Sequence, residues 1–170
     1  DGVNPVVSAH PNSKIAIVGQ APGSVVHQTG IPWDDKSGER LRRWLGVDWD
    51  TFYNPEIFAL VPMGFCYPGK GASGDLPPRE ECAPLWHGKL FDKMHQLQLI
   101  LTVGTYDQTH YLNTTRKKTL TETVKCFDEY IPHFFPLPHP SPRNNIWLKK
   151  NPWFEADLLP VLQKNILKVM

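Results

Sequence analysis

The sequence predicts an α/β protein: a three-layer αβα sandwich built on a central, mainly parallel four-stranded sheet. Three observations predict it, namely short apolar runs, amphipathic stretches between these runs, and Gly- or Pro-rich segments where the runs end. Strands of a parallel sheet are buried on both faces, so they are continuously apolar rather than alternating. Strands that alternate with helices along the chain give a parallel sheet covered by helices.

Each element has its own signal. The four apolar runs predicted to be strands are Lys14–Gly19, Ile57–Val61, Leu97–Val103 and His133–Leu137. Helices are predicted where a capping residue, early acids or late bases accompany apolar periodicity. The predicted helices are Ser37–Gly46, Pro78–His95, Thr105–Leu112, Thr119–Phe127 and a C-terminal helix from Asn151, with Pro152 at its first position.

Composition limits the class of protein. With 170 residues the chain forms one domain, residues 1–170, and its 18 Lys and Arg nearly balance 17 Asp and Glu. Nucleic-acid contact would therefore need a local patch rather than a global positive field. No run approaches the roughly 18–20 apolar residues of a membrane span. Three cysteines are too few for a disulfide scaffold, which favours a reducing, cytoplasmic setting.

Ligands of open α/β sheets bind beyond the carboxyl ends of the strands. Here the strands end in Gly19–Gly23, Val61–Gly64, Gly104 and Pro138–Asn144, which are the most unusual stretches of the sequence. Gly19-Gln-Ala-Pro-Gly23 is either a rigid loop whose backbone approaches a ligand or only a tight turn. It lacks the Gly-Lys-Ser/Thr of a phosphate-binding loop.

Two side chains near these loops are candidates for a site. Trp33, in Gly30-Ile-Pro-Trp33, either stacks on a planar base or fills the core. His139, held between prolines in His139-Pro-Ser-Pro-Arg-Asn144, is either a structural residue or a hydrogen-bond donor to a developing anion.

Together these segments resemble the uracil-DNA glycosylase superfamily. Gly19–Gly23 and His139–Asn144 are similar to its two signature loops, and Gly30–Trp33 matches the Gly-x-Pro-Phe element of its iron–sulfur, thermostable-type branch. The resemblance covers about residues 14–144 with the elements in the same order. It implies a monofunctional enzyme of base excision repair that flips a damaged base from DNA, hydrolyses its N-glycosidic bond and leaves an abasic site.

The resemblance also implies residue roles. His139 would stabilise the departing base, Trp33 would stack on it, and Gln20 with Ala21 would line the pocket and position water. The remaining base-binding residues would be Gly19, Pro22, Gly23 and Met63. DNA would be contacted by a wedge and by basic residues after it: Ser141, Pro142, Arg143, Asn144, Lys149 and Lys150.

The sequence departs from the family pattern at two places. Gln20 stands where the iron–sulfur branch has Glu, and an amide cannot take a proton from water. Asp34 and Asp35 either supply the missing charge or cap the following helix. Pro62 or a neighbour falls where the resembled family reads uracil with Asn, and no Asn is nearby, so the base is uracil or another deaminated base. A weak or inactive lesion- or nucleotide-binding module is the alternative function, and a small-molecule hydrolase is a third.

Cys66 and Cys82 have the sixteen-residue spacing of two cluster ligands in the iron–sulfur branch. A [4Fe–4S] cluster normally takes four cysteines. We therefore expect no cofactor on this chain alone, and a cluster only in a full-length protein with an upstream Cys-x-x-Cys pair. The other interpretation is that both are small buried apolar residues. The expected partner is DNA with a damaged base, not a membrane. We expect a monomer in the cytoplasm, associated with the nucleoid if the source is bacterial.

Overall fold

The fold is that of a three-layer α/β sandwich, as the sequence predicts. The computed structural model describes residues 3–170. Its central sheet has four parallel strands in the order β2-β1-β5-β6. These strands are β1 (Ile15–Val18), β2 (Phe58–Leu60), β5 (Leu99–Val103) and β6 (Phe134–Leu137). The strands are one or two residues shorter than the predicted runs.

Helices cover both faces of the sheet. They are α1 (Ser24–Thr29), α2 (Lys36–Leu45), α3 (Trp49–Phe52), α4 (Gly88–Phe91), α5 (Thr105–Tyr111), α6 (Leu120–Lys125), α7 (Asn145–Lys150) and α8 (Leu159–Val169). A π-helical segment precedes α4 (Ala83–His87) and another precedes α8 (Phe154–Leu158). Among residues 3–170, no helix is both long and apolar enough to cross a bilayer.

The core divides along the sheet because successive strand residues point to opposite faces. Ile15 and Ile17 of β1 belong to the larger cluster, with Leu41 of α2 and Leu162 of α8. Ala16, between them, belongs to a smaller cluster on the opposite face. All four residues of β1 are fully buried, which explains why this run carries no polar alternation.

The predicted helix Pro78–His95 is wrong at both ends. Regular structure begins at Ala83 as a π-helical turn and α4 ends at Phe91. Pro84, at the start of this turn, has no N–H to donate, so it can occupy only the beginning of a helix. The predicted C-terminal helix from Asn151 also starts later than expected. The residues after Asn151 first form the π-helical segment Phe154–Leu158, and α8 begins at Leu159.

The structure also contains elements that the sequence did not predict. α1 and α3 are short helices, and a two-stranded antiparallel hairpin is formed by β3 (Lys70–Gly71) and β4 (Gly74–Asp75). The hairpin follows the loop after β2, so it lies at the carboxyl edge of the sheet. It therefore contributes to the site.

Candidate base-binding site

A cavity of about 400 Å³ lies at the carboxyl ends of β1, β2 and β6. This volume falls within the range of ligand pockets, about 300–1,000 Å³. Both predicted signature loops border it, together with residues of the hairpin. The wall includes Gly19, Gln20, Ala21, Pro22, Gly23, Pro32, Trp33, Asp35, Pro62, Asp75, Leu76, Tyr106, His139, Ser141, Arg143 and Asn144.

Trp33 and His139 lie side by side in this wall. Their ring centroids are 5.8 Å apart and the ring planes are inclined by 31°. The two residues are 106 positions apart in the sequence, and the parallel sheet brings them together by ending β1 and β6 at the same edge. The expectation that the two loops converge on one cavity is therefore met by the geometry.

The imidazole of His139 is a neutral donor. The backbone N–H of Ser141 donates to its Nδ1 at 3.2 Å, so the ring proton must reside on Nε2. Burial lowers the pKa of His139 to about 4, because an imidazolium is poorly solvated there. Asn144 fixes the backbone by donating from its side-chain amide to the carbonyl of His139 at 2.7 Å.

The indole of Trp33 is held by its backbone. Trp33 has a φ of 59°, a left-handed conformation that is uncommon for a bulky residue. Arg42 donates to the Trp33 carbonyl at 3.1 Å, and the Tyr53 hydroxyl donates to the Pro32 carbonyl at 2.6 Å. A Cβ on Gly38 would lie 1.7 Å from the Trp33 carbonyl oxygen, so only glycine fits at that position.

Gly19 leaves space for the indole of Trp33 because it has no Cβ. A Cβ on Gly19 would lie 2.7 Å from Cζ2 of Trp33, closer than any ordinary contact. The backbone around it is tied to the next strand end, since the N–H of Met63 donates to the Gly19 carbonyl at 2.8 Å and that of Gly64 to the Gln20 carbonyl at 2.9 Å. Met63 itself is not in the cavity wall, so its predicted base contact has no support from the geometry.

The two predicted carboxylates differ in position. Asp35 borders the cavity and caps α2, accepting from the Gly38 N–H at 2.8 Å. This is the capping role that the sequence offered as one of two interpretations. Asp34 is not in the cavity wall, and its charge instead contributes to raising the pKa of Tyr53.

Only some of the predicted DNA-contacting residues border the cavity. Ser141, Arg143 and Asn144 border the cavity, whereas Pro142 lies outside its wall. Arg143 donates to the Ser73 carbonyl at 3.2 Å and thereby joins the second signature loop to the hairpin. Lys149 and Lys150 follow on α7, exposed and outside the cavity.

Some site residues were not found from the sequence. Asp75 and Leu76 enter the wall through the hairpin, and Tyr106 enters it from α5. Arg40, on α2, donates to the Ser141 carbonyl at 3.3 Å and so supports the His139 loop. The spacing of Gly69, Gly71 and Gly74 was an available hairpin signal, but nothing in the sequence placed the hairpin beside the cavity.

Pro62 gives the cavity no side-chain hydrogen bond. Its carbonyl accepts from Nε2–H of His87 at 2.8 Å, and Nδ1 of His87 accepts from the Tyr111 hydroxyl. His87 is therefore held as a neutral ring, and burial lowers its pKa. The side chain of Pro62 is an apolar ring, so it offers no hydrogen bond to a ligand.

Cys66 and Cys82 lie near each other, since a charge on Cys82 contributes to raising the pKa of the Cys66 thiol, after burial. Within residues 3–170, no group of three or more His, Cys, Asp or Glu side chains is arranged to hold a metal. Two thiols do not complete the four-cysteine set of a cubane cluster. The described residues alone therefore do not fit an iron–sulfur centre.

The fold and the site define an α/β protein with a cavity of about 400 Å³ at its strand ends, lined by the indole of Trp33 and the neutral imidazole of His139. A family model, Uracil DNA glycosylase superfamily, matches residues 7–163. The chain belongs to the uracil DNA glycosylase superfamily. It is also similar to a Methanosarcina acetivorans protein whose solution NMR structure is described as that of a "putative Uracil DNA glycosylase". The two share 15% sequence identity, with a TM-score of 0.50 and coverage of 94% of each chain.

Proposed function

We propose that this protein is a DNA glycosylase that hydrolyses the N-glycosidic bond of uracil or another deaminated base, flipped out of DNA. The product is an abasic site, and a base flipped into a cavity is the geometry by which such enzymes reach the bond. Membership of the superfamily supports the glycosylase-like chemistry. The observation that carries the proposal is the neutral imidazole of His139, with its Nε2–H donor in the wall of the cavity.

His139 meets the electrostatic need of the reaction. When the bond from C1′ to the base breaks, the bonding electrons leave with the base and the sugar becomes an oxocarbenium ion. A preorganised donor aimed at the departing anion lowers the barrier without reorganising solvent. Because the imidazole is neutral at pH 7, it serves as this donor through Nε2–H while the Ser141 N–H holds its orientation.

Trp33 supplies the platform for the base. Stacking of a base on an aromatic ring contributes about 1–3 kcal/mol. The indole lies 5.8 Å from the imidazole, so a base on the indole is within reach of the ring of His139. The attacking water completes the reaction by adding its oxygen to C1′, and its proton neutralises the anionic base, which leaves as the free neutral base. Gln20 orients this water by hydrogen bonding, since its amide cannot accept the proton.

Side chains other than an asparagine select which base this cavity binds. Pro62 cannot read the uracil edge, and its carbonyl already accepts a hydrogen bond from His87. The side chains of Asp75, Gln20 and Tyr106 remain as polar groups in the wall. The Asp75 carboxylate only accepts hydrogen bonds, whereas Gln20 and Tyr106 both accept and donate them, which suits deaminated bases other than uracil as well as uracil itself.

The second candidate, a lesion-binding module without turnover, is favoured by one observation. Gln20 is an amide where a carboxylate acts in the resembled branch, and Asp35, the carboxylate in the wall on the Trp33 loop, already caps α2. Binding without turnover would keep the same cavity and the same stacking contact. Base release is therefore the measurement that separates the two functions.

DNA contact outside the cavity is proposed for the exposed lysines that follow the second signature loop. Lys149 and Lys150 lie at the end of α7, a few residues beyond Arg143. Neutralising phosphates releases counterions, so such contacts make affinity fall as salt rises. Their effect on binding is expected to be independent of the damaged base.

The test is a base-release assay. Duplex and single-stranded oligonucleotides carrying uracil, hypoxanthine or xanthine are incubated with the protein, and abasic sites are then cleaved with alkali. We expect strand breaks at one or more of these bases, abolished in His139→Ala and retained in His95→Ala, which changes an exposed histidine outside the site. Tight binding without breaks at any base would support the binding module instead.

A further inference from the structure

Asp107 is a buried carboxyl group that the proposed chemistry does not use. It lies in the first turn of α5, and its side chain is 0% exposed. Neither carboxyl oxygen has a hydrogen-bond partner in the part of the chain that the structure describes. Burial of a polar group without partners is costly, and native proteins rarely retain it without a reason.

The carboxyl group of Asp107 and the carboxamide of Gln20 both lie beside Gly104. Gly104 has a φ of 122°, and the point that its Cβ would occupy is 3.1 Å from Nε2 of Gln20 and 3.4 Å from Oδ1 of Asp107. The amide and the carboxyl therefore flank the same small space, which only glycine leaves open. Gln20 also borders a second cavity of about 340 Å³ on this side of His139, so its side chain has room to turn.

One possible partner of Asp107 on the same helix is already engaged. Tyr111 lies one turn further along α5, and burial raises its pKa. The Tyr111 hydroxyl, however, donates to Nδ1 of His87. Burial raises the pKa of Asp107 well above its usual value, because a carboxylate is poorly solvated there, and this favours the neutral form of the group. The neutral form adds no negative charge beside a departing anionic base.

We propose that Asp107 is a positioning residue that fixes the orientation of the Gln20 carboxamide. The carbonyl oxygen of its carboxyl group accepts a hydrogen bond from Nε2–H of Gln20, after a rotation of the glutamine side chain. Oε1 of Gln20 then faces the cavity and accepts a hydrogen bond from the attacking water. Asp107 touches neither water nor base, and it acts only through Gln20. This inference rests on the proposed function.

A purely structural role would have a different signature. An acid in the first turn of a helix often stabilises the helix dipole, and such a role depends on the negative charge. A positioning role through a carbonyl oxygen needs no charge. Asparagine retains that oxygen in a side chain of the same shape, whereas alanine removes it. The two substitutions therefore separate the two roles.

The kinetic test uses single-turnover base release at saturating protein. We expect Asp107→Ala to lower the rate about 10- to 100-fold, the scale of a misplaced reacting group, without raising the half-saturating concentration. Asp107→Asn should restore the rate to within about tenfold of wild type. In a Gln20→Ala background, Asp107→Ala should change the rate less than about twofold, because coupled residues are not additive. Equal losses in both backgrounds would overturn the proposal.

A second measurement does not depend on activity. The side-chain NH₂ signals of Gln20 are identified in a ¹⁵N–¹H spectrum by their loss in Gln20→Ala. We expect these signals to shift in Asp107→Ala and to return toward the wild-type position in Asp107→Asn, with no change in the control Asp157→Asn, an exposed acid. Gln20 signals that stay at the wild-type position in Asp107→Ala would overturn the inference. This result can be obtained even if wild type releases no base and the proposed function fails.

Discussion

Replacing Gly19 by alanine tests whether the indole of Trp33 forms one wall of the base cavity. The added methyl carbon would lie 2.7 Å from Cζ2 of Trp33, about 1 Å inside the usual 3.5–4.0 Å contact distance between carbon atoms. The indole must move, and the Arg42 hydrogen bond to the Trp33 carbonyl resists this movement. Such overpacking typically costs about 1–3 kcal/mol, offset by about 0.4–1 kcal/mol from the reduced entropy of the unfolded chain.

Base capture should decrease in Gly19→Ala by more than stability does. A displaced indole loses part of the roughly 1–3 kcal/mol of base stacking, and we expect about a tenfold loss of affinity, or about 1.4 kcal/mol. The assay is fluorescence anisotropy, comparing a lesion-containing duplex with an undamaged one. Gly88→Ala is the control, because a Cβ there meets no atom within 4 Å and Gly88 lies outside the cavity wall. A folded Gly19→Ala protein with wild-type preference for the lesion would refute the reasoning.

Other predictions concern the same cavity and its surroundings. Trp33→Ala should weaken lesion capture by about 1–3 kcal/mol, and unchanged affinity would indicate a core role for the ring. The pKa of His139 is about 4 in the folded protein, against an ordinary 6.5. The free energy of unfolding of wild type should therefore fall by up to about 3 kcal/mol as pH drops from 6.5 to 4, and that of His139→Asn should fall less, as measured by urea unfolding. The raised pKa of Asp107 changes stability with pH in the opposite direction. Wild type loses stability as pH rises above 3.8, so Asp107→Asn should have a higher Tm than wild type at pH 7 and nearly the same Tm at pH 4. Replacing Lys149 and Lys150 together by alanine should reduce the salt dependence of DNA binding by about one unit of slope per lost phosphate contact, and an unchanged slope would contradict their contact with DNA.

The sheet and the two signature loops could be predicted because their signals are local. A run such as Ile15–Val18 is apolar at every position, and this pattern has one stable place, inside a sheet covered on both faces. The edge at which parallel strands end then follows from the topology. This is why Trp33 and His139 could be expected in one cavity before any distance was known.

The hairpin could not be predicted in place, because its position depends on contacts distant in sequence. Each of its strands has only two residues, and Arg143 joins it to the second signature loop through the Ser73 carbonyl. The same limit applies to α1, which begins at Gly23 without a side-chain cap or an acid in its first turn. Local signals of helix initiation are absent there, so packing determines the helix.

The role of Asp107 was also outside the reach of the sequence. Nothing about an acid in the first turn of a helix indicates whether its side chain faces solvent or the interior. Its burial depends on α5 packing against the end of β5, and its neighbour Gln20 is 87 positions away.

The most direct test of the account is the protonation state of His139, measured by ¹⁵N NMR of the imidazole nitrogens across pH 4–8. The account predicts a neutral ring at pH 7 with the proton on Nε2, an unprotonated Nδ1 that accepts from the Ser141 N–H, and titration only near pH 4. An imidazolium at pH 7, or a neutral ring with its proton on Nδ1, would leave no neutral donor facing the cavity and would contradict the account.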